Sequence, residues 1–440
     1  MKEKIRVGCG AGFSGDRIEP AMLLVEKGNL DYLVLECLAE RTIALAQKRK
    51  KQDPKAGYDV LLERRIESLL PLLKRHHTRL ITNMGAANPL AGAAKIKEIA
   101  QKQGLNVKIA VVLGDDIFGK ITGNELSMEG KLPLESYGKL VSANAYLGAE
   151  AILPALQSGA DIVLTGRVAD PSLFLAPMVF EFGWNQSDFD LMGKGTVIGH
   201  LLECAGQITG GYFADPISKP IPDMHILGHP LAEINKDGSA VISKVAGTGG
   251  AITVQTAKEQ LLYEVIDPGN YYTPDVVADF SSVRFRELAK NQIQVLGGTG
   301  KPLPETLKVS VGYEAGYIGE GEISFAGAHA LERAKLAGEI VEKRIAHQFE
   351  EFRIDYIGLG SLHGNELSRN HQAYEIRLRV AGKASSPALA QLVGEEVEAL
   401  YTNGPAGGGG ARKYVHEVLG VVSILLDRKE ISTSINILES

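Results

Sequence analysis

The chain has 440 residues, 45% hydrophobic and 23% charged, which is enough for a large core and for two or three domains. Its 47 lysines and arginines against 53 acids leave a net charge of −6, so neither nucleic acid nor an anionic membrane is expected as the main partner. Three cysteines without CxxC spacing exclude a disulfide framework and a zinc knuckle, while the lack of a signal region or a long apolar run leads to the expectation of a cytoplasmic protein.

The first 215 residues alternate strand-like runs with helical periods. Residues 5–9 read as a strand and residues 20–27 as a helix, with Pro20 suited to the first turn. A second strand over 31–36 precedes helices over 38–50 and 58–75. In the latter, Leu61, Leu62, Ile66, Leu69, Leu70 and Leu73 recur near the helical period. Next come a strand over 79–83, an alanine-rich helix over 89–103 stopped by Gly104, and a strand over 108–113. A helix over 142–158, a strand over 161–165 and helices over 171–182 and 196–208 complete the series. Repetition of strand, crossover helix and strand implies an α/β domain over residues 1–215. Its sheet is expected to be mostly parallel and doubly wound, with helices on both faces.

Past Asp215 the texture changes. DPISKPIPD (residues 215–223) reads as a connection, and residues 224–266 have hairpin character around Asp237-Gly238. Residues 267–304 are less regular. Strands over 307–317 and 322–326, a helix over 328–349, strands over 353–358 and 373–380, a helix over 387–402 and strands over 418–426 and 432–438 follow. Strict alternation is lost, which implies a C-terminal α+β domain over 216–440.

Chemistry-bearing residues fall where the predicted parallel strands end, the edge at which such sheets bind ligands. The first strand runs into GCGAGFSGDR (residues 8–17), in which Gly10, Gly12 and Gly15 form a GxGxxG, with Ser14, Asp16 and Arg17 interleaved. Such a loop serves a substrate or anion, a dinucleotide, or a tight turn without a ligand. Asp16 and Glu19 place negative charge where a pyrophosphate would sit. Glu36 ends the second strand and Asn83 the third. Asp115 and Asp116 end the fourth, as an acid–base pair or a site for Mg²⁺, although neighbours on a strand point to opposite sides. After the fifth strand, Arg167 offers a planar fork for a carboxylate, and Asp170 either joins it or caps the next helix. His200 and Glu203 share a helix face, which suits a proton shuttle but supplies too few ligands for zinc. Two glycine-rich stretches in the second half, AGTGGAIT (residues 246–253) and PAGGGGARK (residues 405–413), read as either anion-holding loops or flexible connections.

The strings GCGAGFSGDR, LVLECLAERT, ITNMGAANP, SANAYLGAEAILPALQSGADIVLTGRVADPS, GHLLECAGQITGGYFADP and NGPAGGGGARK together resemble the acyclic terpene utilization (AtuA-like) family over nearly the whole chain. That resemblance implies bacterial breakdown of citronellol- and geraniol-type compounds through coenzyme A thioesters of branched acids, and it transfers no catalytic residue set. Some members carry an additional ferredoxin-like domain, so a separate small subunit is an expected partner, and a homo-oligomer is left open. The leading expectation is a catabolic lyase or hydro-lyase acting on a carboxylic acid or acyl-CoA, with coenzyme A borne by the substrate. In it Arg167 holds an anion, Glu36 or an aspartate of the 115–116 pair moves the proton, and Asn83 with the loop amides stabilises an oxyanion. The alternatives are a non-catalytic ligand- or partner-binding subunit and an NAD(P)-dependent oxidoreductase.

Overall fold

The structure, a computed structural model, describes residues 2–364, 366–368 and 371–440. In chain order its first part runs β1 (Lys4–Ala11), α1 (Glu19–Lys27), β2 (Tyr32–Leu35), α2 (Glu40–Gln52), α3 (Leu62–His76), β3 (Arg79–Thr82), α4 (Pro89–Lys102), β4 (Lys108–Leu113), β5 (Leu140–Ala145), α5 (Ala149–Gln157), β6 (Ile162–Thr165), α6 (Ser172–Phe182) and α7 (Phe189–Glu203). Strands β1, β2, β3, β6 and β4 lie side by side in that order, all parallel. The short apolar runs are strands because both faces are covered: every residue of β2 and β6 is buried.

One face packs under α1, α3 and α4, with Leu24, Leu33, Leu62, Ile66, Leu69, Leu80, Ile96 and Ile109 in one apolar cluster. The alternate residues of β2 face the other side, where the Tyr32 hydroxyl donates to Glu181 of α6 at 2.6 Å. The chain after β3 therefore returns on one face and the chain after β6 on the other. This reversal opens a crevice at the carboxyl ends of β3 and β6.

The chain continues through β7 (Pro230–Asn235), β8 (Ala240–Lys244), α8 (Val254–Leu262), β9 (Tyr271–Tyr272), β10 (Val277–Asp279), β11 (Arg284–Ala289), β12 (Gln292–Leu296), β13 (Thr299–Lys301), β14 (Thr306–Ala326), α9 (Ala330–Ile345), β15 (Glu351–Ile357), β16 (Glu375–Ala384), α10 (Pro387–Asn403), β17 (Gly409–Asp427) and β18 (Ser434–Glu439). The hairpin expected at Asp237-Gly238 joins β7 to β8, with Gly238 at φ +79°. Strands β7, β8, β12 and β11 extend the parallel core from β1 as an antiparallel wing, and β18 closes the far edge against β4, giving ten strands.

Two compact units result, one of Met1–Ser136, Leu140–Gly312 and Val421–Ser440, the other of Tyr137–Lys139 and Tyr313–Gly420. The boundary expected near residue 215 falls inside the first unit, because β7 and β8 bond to β1 rather than starting a new sheet. In the second unit β16 alternates buried Ile376, Leu378 and Val380 with Arg377 and Arg379, and these arginines pair with Glu322 and with Glu320 and Asp355. Helices α9 and α10 bury Ala337, Val341, Val393 and Val397 in the same apolar cluster as those three residues.

Three expectations need correction. Residues 142–158 are not one helix: the chain is extended through Ala145, hydrogen-bonded to β14, and turns helical only at Ala149. Small residues there carry little helical or extended preference, so pairing decides. The two strands over 307–326 are one, and its glycines are where α10 approaches. A Cβ on Gly319 would lie 1.8 Å from the Ala390 oxygen, and one on Gly321 would lie 2.6 Å from Val397. The irregular stretch 267–304 holds β9 to β13. Among the described residues no helix is long and apolar enough to cross a membrane.

Candidate functional site

The four segments that leave the carboxyl ends of β1, β2, β3 and β6 converge. Glu36, one residue past β2, has one carboxyl oxygen that accepts from the Asn83 side-chain amide and from the Leu38 N–H, both at 2.8 Å. Asn83, one residue past β3 and fully buried, also accepts from the Cys37 N–H at 2.7 Å, so both ends of its amide fix the 36–38 turn. Past β6, the Arg167 N–H donates to Asp115 at 2.8 Å, and the same carboxyl oxygen accepts from Asn144 at 2.9 Å. A Cβ on Gly166 would meet both Asp115 oxygens at 2.5 Å, so only glycine lets the turn sit on that carboxyl. The Arg167 guanidinium lies 4.1 Å over the Tyr146 ring and donates to the Leu38 carbonyl. It stands 3.3 Å from Asp170, while its Nε has no partner.

Glu36, Tyr146, Arg167 and Asp170 border a cavity of about 570 Å³ whose wall also includes Asp16, Glu40, Glu203 and Glu264, with Arg167 as its cation. A second cavity of about 550 Å³ shares Tyr146 and Asp170 with the first. It is mostly apolar, lined by Tyr271, Pro274, Leu307 and Leu425, with Lys308 at its wall. An acidic chamber thus adjoins an apolar one, a division suited to a ligand with a polar reacting end and a hydrocarbon body.

Burial sets the charge states. It pushes the Glu36 carboxyl well above the ordinary range, with the Asp170 charge adding and Arg167 opposing. Burial likewise raises Glu203, with Asp170 and Glu264 adding, and raises Asp170 against the pull of Arg167. Glu40 goes the other way: burial is outweighed by the Arg167 charge and the Tyr146 hydroxyl, which hold it down at about 2. Asp170 Oδ1, Glu203 Oε2 and Gln207 Oε1 are buried with no hydrogen-bond partner. Orphaned acceptors around one cavity mark where a ligand or water would donate.

Of the residues expected from sequence, Gly12, Asp16, Glu36, Arg167 and Asp170 border this cavity. Asn83 and Asp115 stand behind it, positioning Glu36 and Arg167; the Asn83 side-chain amide donates to Glu36. Asp116 turns outward, exposed, to Gln47 at 3.0 Å and Lys50 at 3.5 Å, so the aspartate pair serves no common site or ion. Among the described residues no group of three or more His, Cys, Asp or Glu is arranged to hold a metal. His200 lies deeper, against Tyr271 and Phe280, with Nδ1 2.7 Å from Glu203; burial lowers its pKa to about 4, so the ring is neutral.

Packing fixes the glycines of the GxGxxG. Gly10 belongs to β1, where a Cβ would strike Leu35 and Ala21, and Gly12 packs on the Cys204 backbone. The Gly12 N–H is taken by Asp16 at 2.7 Å, the Ser14 carbonyl by Arg65 at 2.9 Å, and Arg17 reaches the His225 carbonyl at 2.9 Å. Gly15 sits under the Phe13 ring. The Gly12 amide is thus already bonded to a carboxylate within the segment. In the late glycine run Lys413 pairs with Glu398 at 2.6 Å, and the Ala411 N–H donates to the Tyr401 hydroxyl.

Sequence reasoning missed Glu40, Tyr146, Glu264, Lys308 and Arg65. Arg65 was detectable: it falls within the apolar stripe of α3, and it is buried there, donating to Ser14, Asp16 and Cys37. Tyr146 was hidden inside the stretch expected to be helical.

No curated protein and no solved structure matches the chain. The profile of the acyclic terpene utilisation family protein AtuA matches residues 5–437, nearly the whole length. The match spans the strands that carry Glu36, Asn83 and Arg167 and both compact units, and the chain belongs to the acyclic terpene utilisation family, whose role is in acyclic terpene catabolism.

Proposed function

We propose that this chain is a catabolic lyase or hydro-lyase that moves a proton at the carbon next to the carbonyl of a branched acid or its acyl-CoA thioester. The observation that carries the reading is the pair of adjoining cavities, with buried carboxyls on one side and apolar walls on the other, meeting at Tyr146 and Asp170. Several carboxyls in one low-dielectric chamber cannot all ionise, so acid and base coexist at neutral pH. Glu36, pushed up by burial and held by Asn83, is the proton donor. Asp170, beside the Arg167 guanidinium, is the base.

In the hydro-lyase direction Asp170 takes the proton from the carbon next to the carbonyl. The electron pair forms the double bond, and Glu36 protonates the departing hydroxyl, which leaves as water. The Arg167 Nε, buried without a partner, is left to donate to the charge that develops on the carbonyl oxygen, a stabilisation commonly worth about 3 kcal/mol per donor. The branched chain occupies the apolar cavity, where each buried methylene contributes about 0.8 kcal/mol.

The test is turnover of branched acids and their coenzyme A thioesters, read together with uptake of solvent deuterium next to the carbonyl. Glu36→Gln and Asp170→Asn are each expected to lower kcat by about 10²–10⁴-fold, and Asp170→Asn to abolish deuterium uptake. Full turnover by both variants would overturn the assignment, and ligand binding without turnover by the unmodified chain would favour a non-catalytic binding subunit.

A further inference from the structure

A third cavity of the first unit, about 650 Å³, belongs to neither chamber above. It lies on the antiparallel wing, where β1, β7 and β8 and the β11–β12 hairpin meet the end of α1. Four cations line it, Arg6, Lys27, Lys244 and Lys290, against one acid, Asp223. In a chain with a net charge of −6 this is a local reversal of sign. The cations are weakly neutralised: Lys27 and Lys290 form no ion pair among the described residues, and Arg6 is 3.9 Å from Glu233 with its Nε buried and unpartnered. Lys244 donates only to the carbonyl and hydroxyl of Thr248. Burial, with the Lys290 charge adding, lowers the Lys244 pKa.

The floor is the glycine stretch at residues 246–250. Gly247 and Gly250 adopt φ near +80° and +87°, and a Cβ on Gly249 would meet the Asp223 carbonyl at 1.9 Å, so only glycines allow this path. The N–H groups of Thr248, Gly249 and Gly250 bond within the protein, whereas those of Ala246 and Gly247 donate to nothing among the described residues. The Asn291 side-chain oxygen accepts from the Ile252 N–H, which leaves its amide to donate. Main-chain amides in a turn beside several cations are the donor set that phosphate oxygens require.

We propose that this pocket binds a small soluble phosphorylated ligand through Arg6, Lys27, Lys244, Lys290 and the amides of residues 246 and 247. The site is independent of the carboxyl chamber and stands or falls separately from the chemistry assigned there. A cavity of this size accommodates a nucleotide-sized molecule.

Calorimetric titration of the full chain with diphosphate and with inorganic phosphate tests it. Diphosphate is expected to bind more tightly than phosphate and to weaken as salt rises. Lys290→Glu and Lys27→Gln, both at exposed positions, are each expected to weaken diphosphate about 5-fold, while Lys102→Gln on α4 leaves it unchanged. Three results would overturn the proposal: no binding at millimolar diphosphate, equal binding by Lys290→Glu and the unmodified chain, or displacement of diphosphate by a single-stranded oligonucleotide at equal phosphate concentration.

Discussion

Asp115 shows at the scale of one residue how burial and hydrogen bonding compete. Its carboxyl accepts from the Arg167 N–H and from Asn144, both of which favour ionisation, yet burial dominates and moves the group from 3.8 up to about 6. Because the folded-state value lies above the unfolded one, the protonated group stabilises the fold fully below about pH 4, and that contribution is lost as the pH climbs through about 6. A shift of this size corresponds to about 3 kcal/mol. Urea unfolding across pH is therefore expected to show a fall in stability between about pH 4 and pH 7, flattened by about that amount in Asp115→Asn, which keeps an acceptor for the Arg167 N–H. Parallel pH profiles for the two proteins would contradict it. Glu36 and Glu203, raised by burial in the same direction, add to the slope with the same sign.

At the scale of elements, the site is built by a helix that reaches into the wrong layer for its charge. Arg65 of α3 is buried beneath the 12–18 segment and donates to the Ser14 and Asp16 carbonyls, both at 2.9 Å, and to the Cys37 sulfur. It ties the exits of β1 and β2 together, and so places Asp16 and Glu36 on one wall. Arg65→Met preserves most of the packing volume but leaves two carbonyls without donors, with an expected loss of about 3 kcal/mol. Faster amide hydrogen exchange over residues 12–18 is expected to accompany the lower melting temperature; unchanged protection there would show that Arg65 does not hold the segment. Most elements were legible because their signals are local. The α4 start at Asn88-Pro89 is capped by the Asn88 side chain, and the period-3.6 stripe of α3 is the stripe that packs on the sheet. Strand β5 was not legible, since it is extended by virtue of a partner more than 150 residues away.

At the scale of the molecule, the chain returns to its beginning. Residues 421–440 rejoin the first unit, and β18 pairs with β4 along its whole length, from Ser434 opposite Leu113 to Glu439 opposite Lys108. Leu438 packs on the apolar cluster that holds Ile109 and Val111, and the Ser440 hydroxyl accepts from the Val107 N–H at 2.9 Å. Removal of residues 432–440 is expected to strip the edge of β4, exposing its unpaired amides and reducing soluble yield and melting temperature. An unaltered melting curve would show that β18 contributes little to the sheet.

The amino-acid sequence by itself determined the five parallel strands, most of the helices between them, and the placement of Glu36, Asn83 and Arg167 at strand ends. These follow from periodicity and turn chemistry within a few residues, and parallel strands necessarily present their ends on one edge. Only the tertiary structure decided which of those side chains face the cavity and which stand behind it. Asp115 and Asp116 are neighbours in sequence, yet in the turn after β4 one is buried against Arg167 and the other is exposed. Nor did the sequence reveal that β7, β8 and β18 belong to the first sheet, or that cations from β1, α1, β8 and the β11–β12 hairpin share a pocket. Pairing and charge convergence between distant segments depend on which surfaces meet, and no local pattern encodes that.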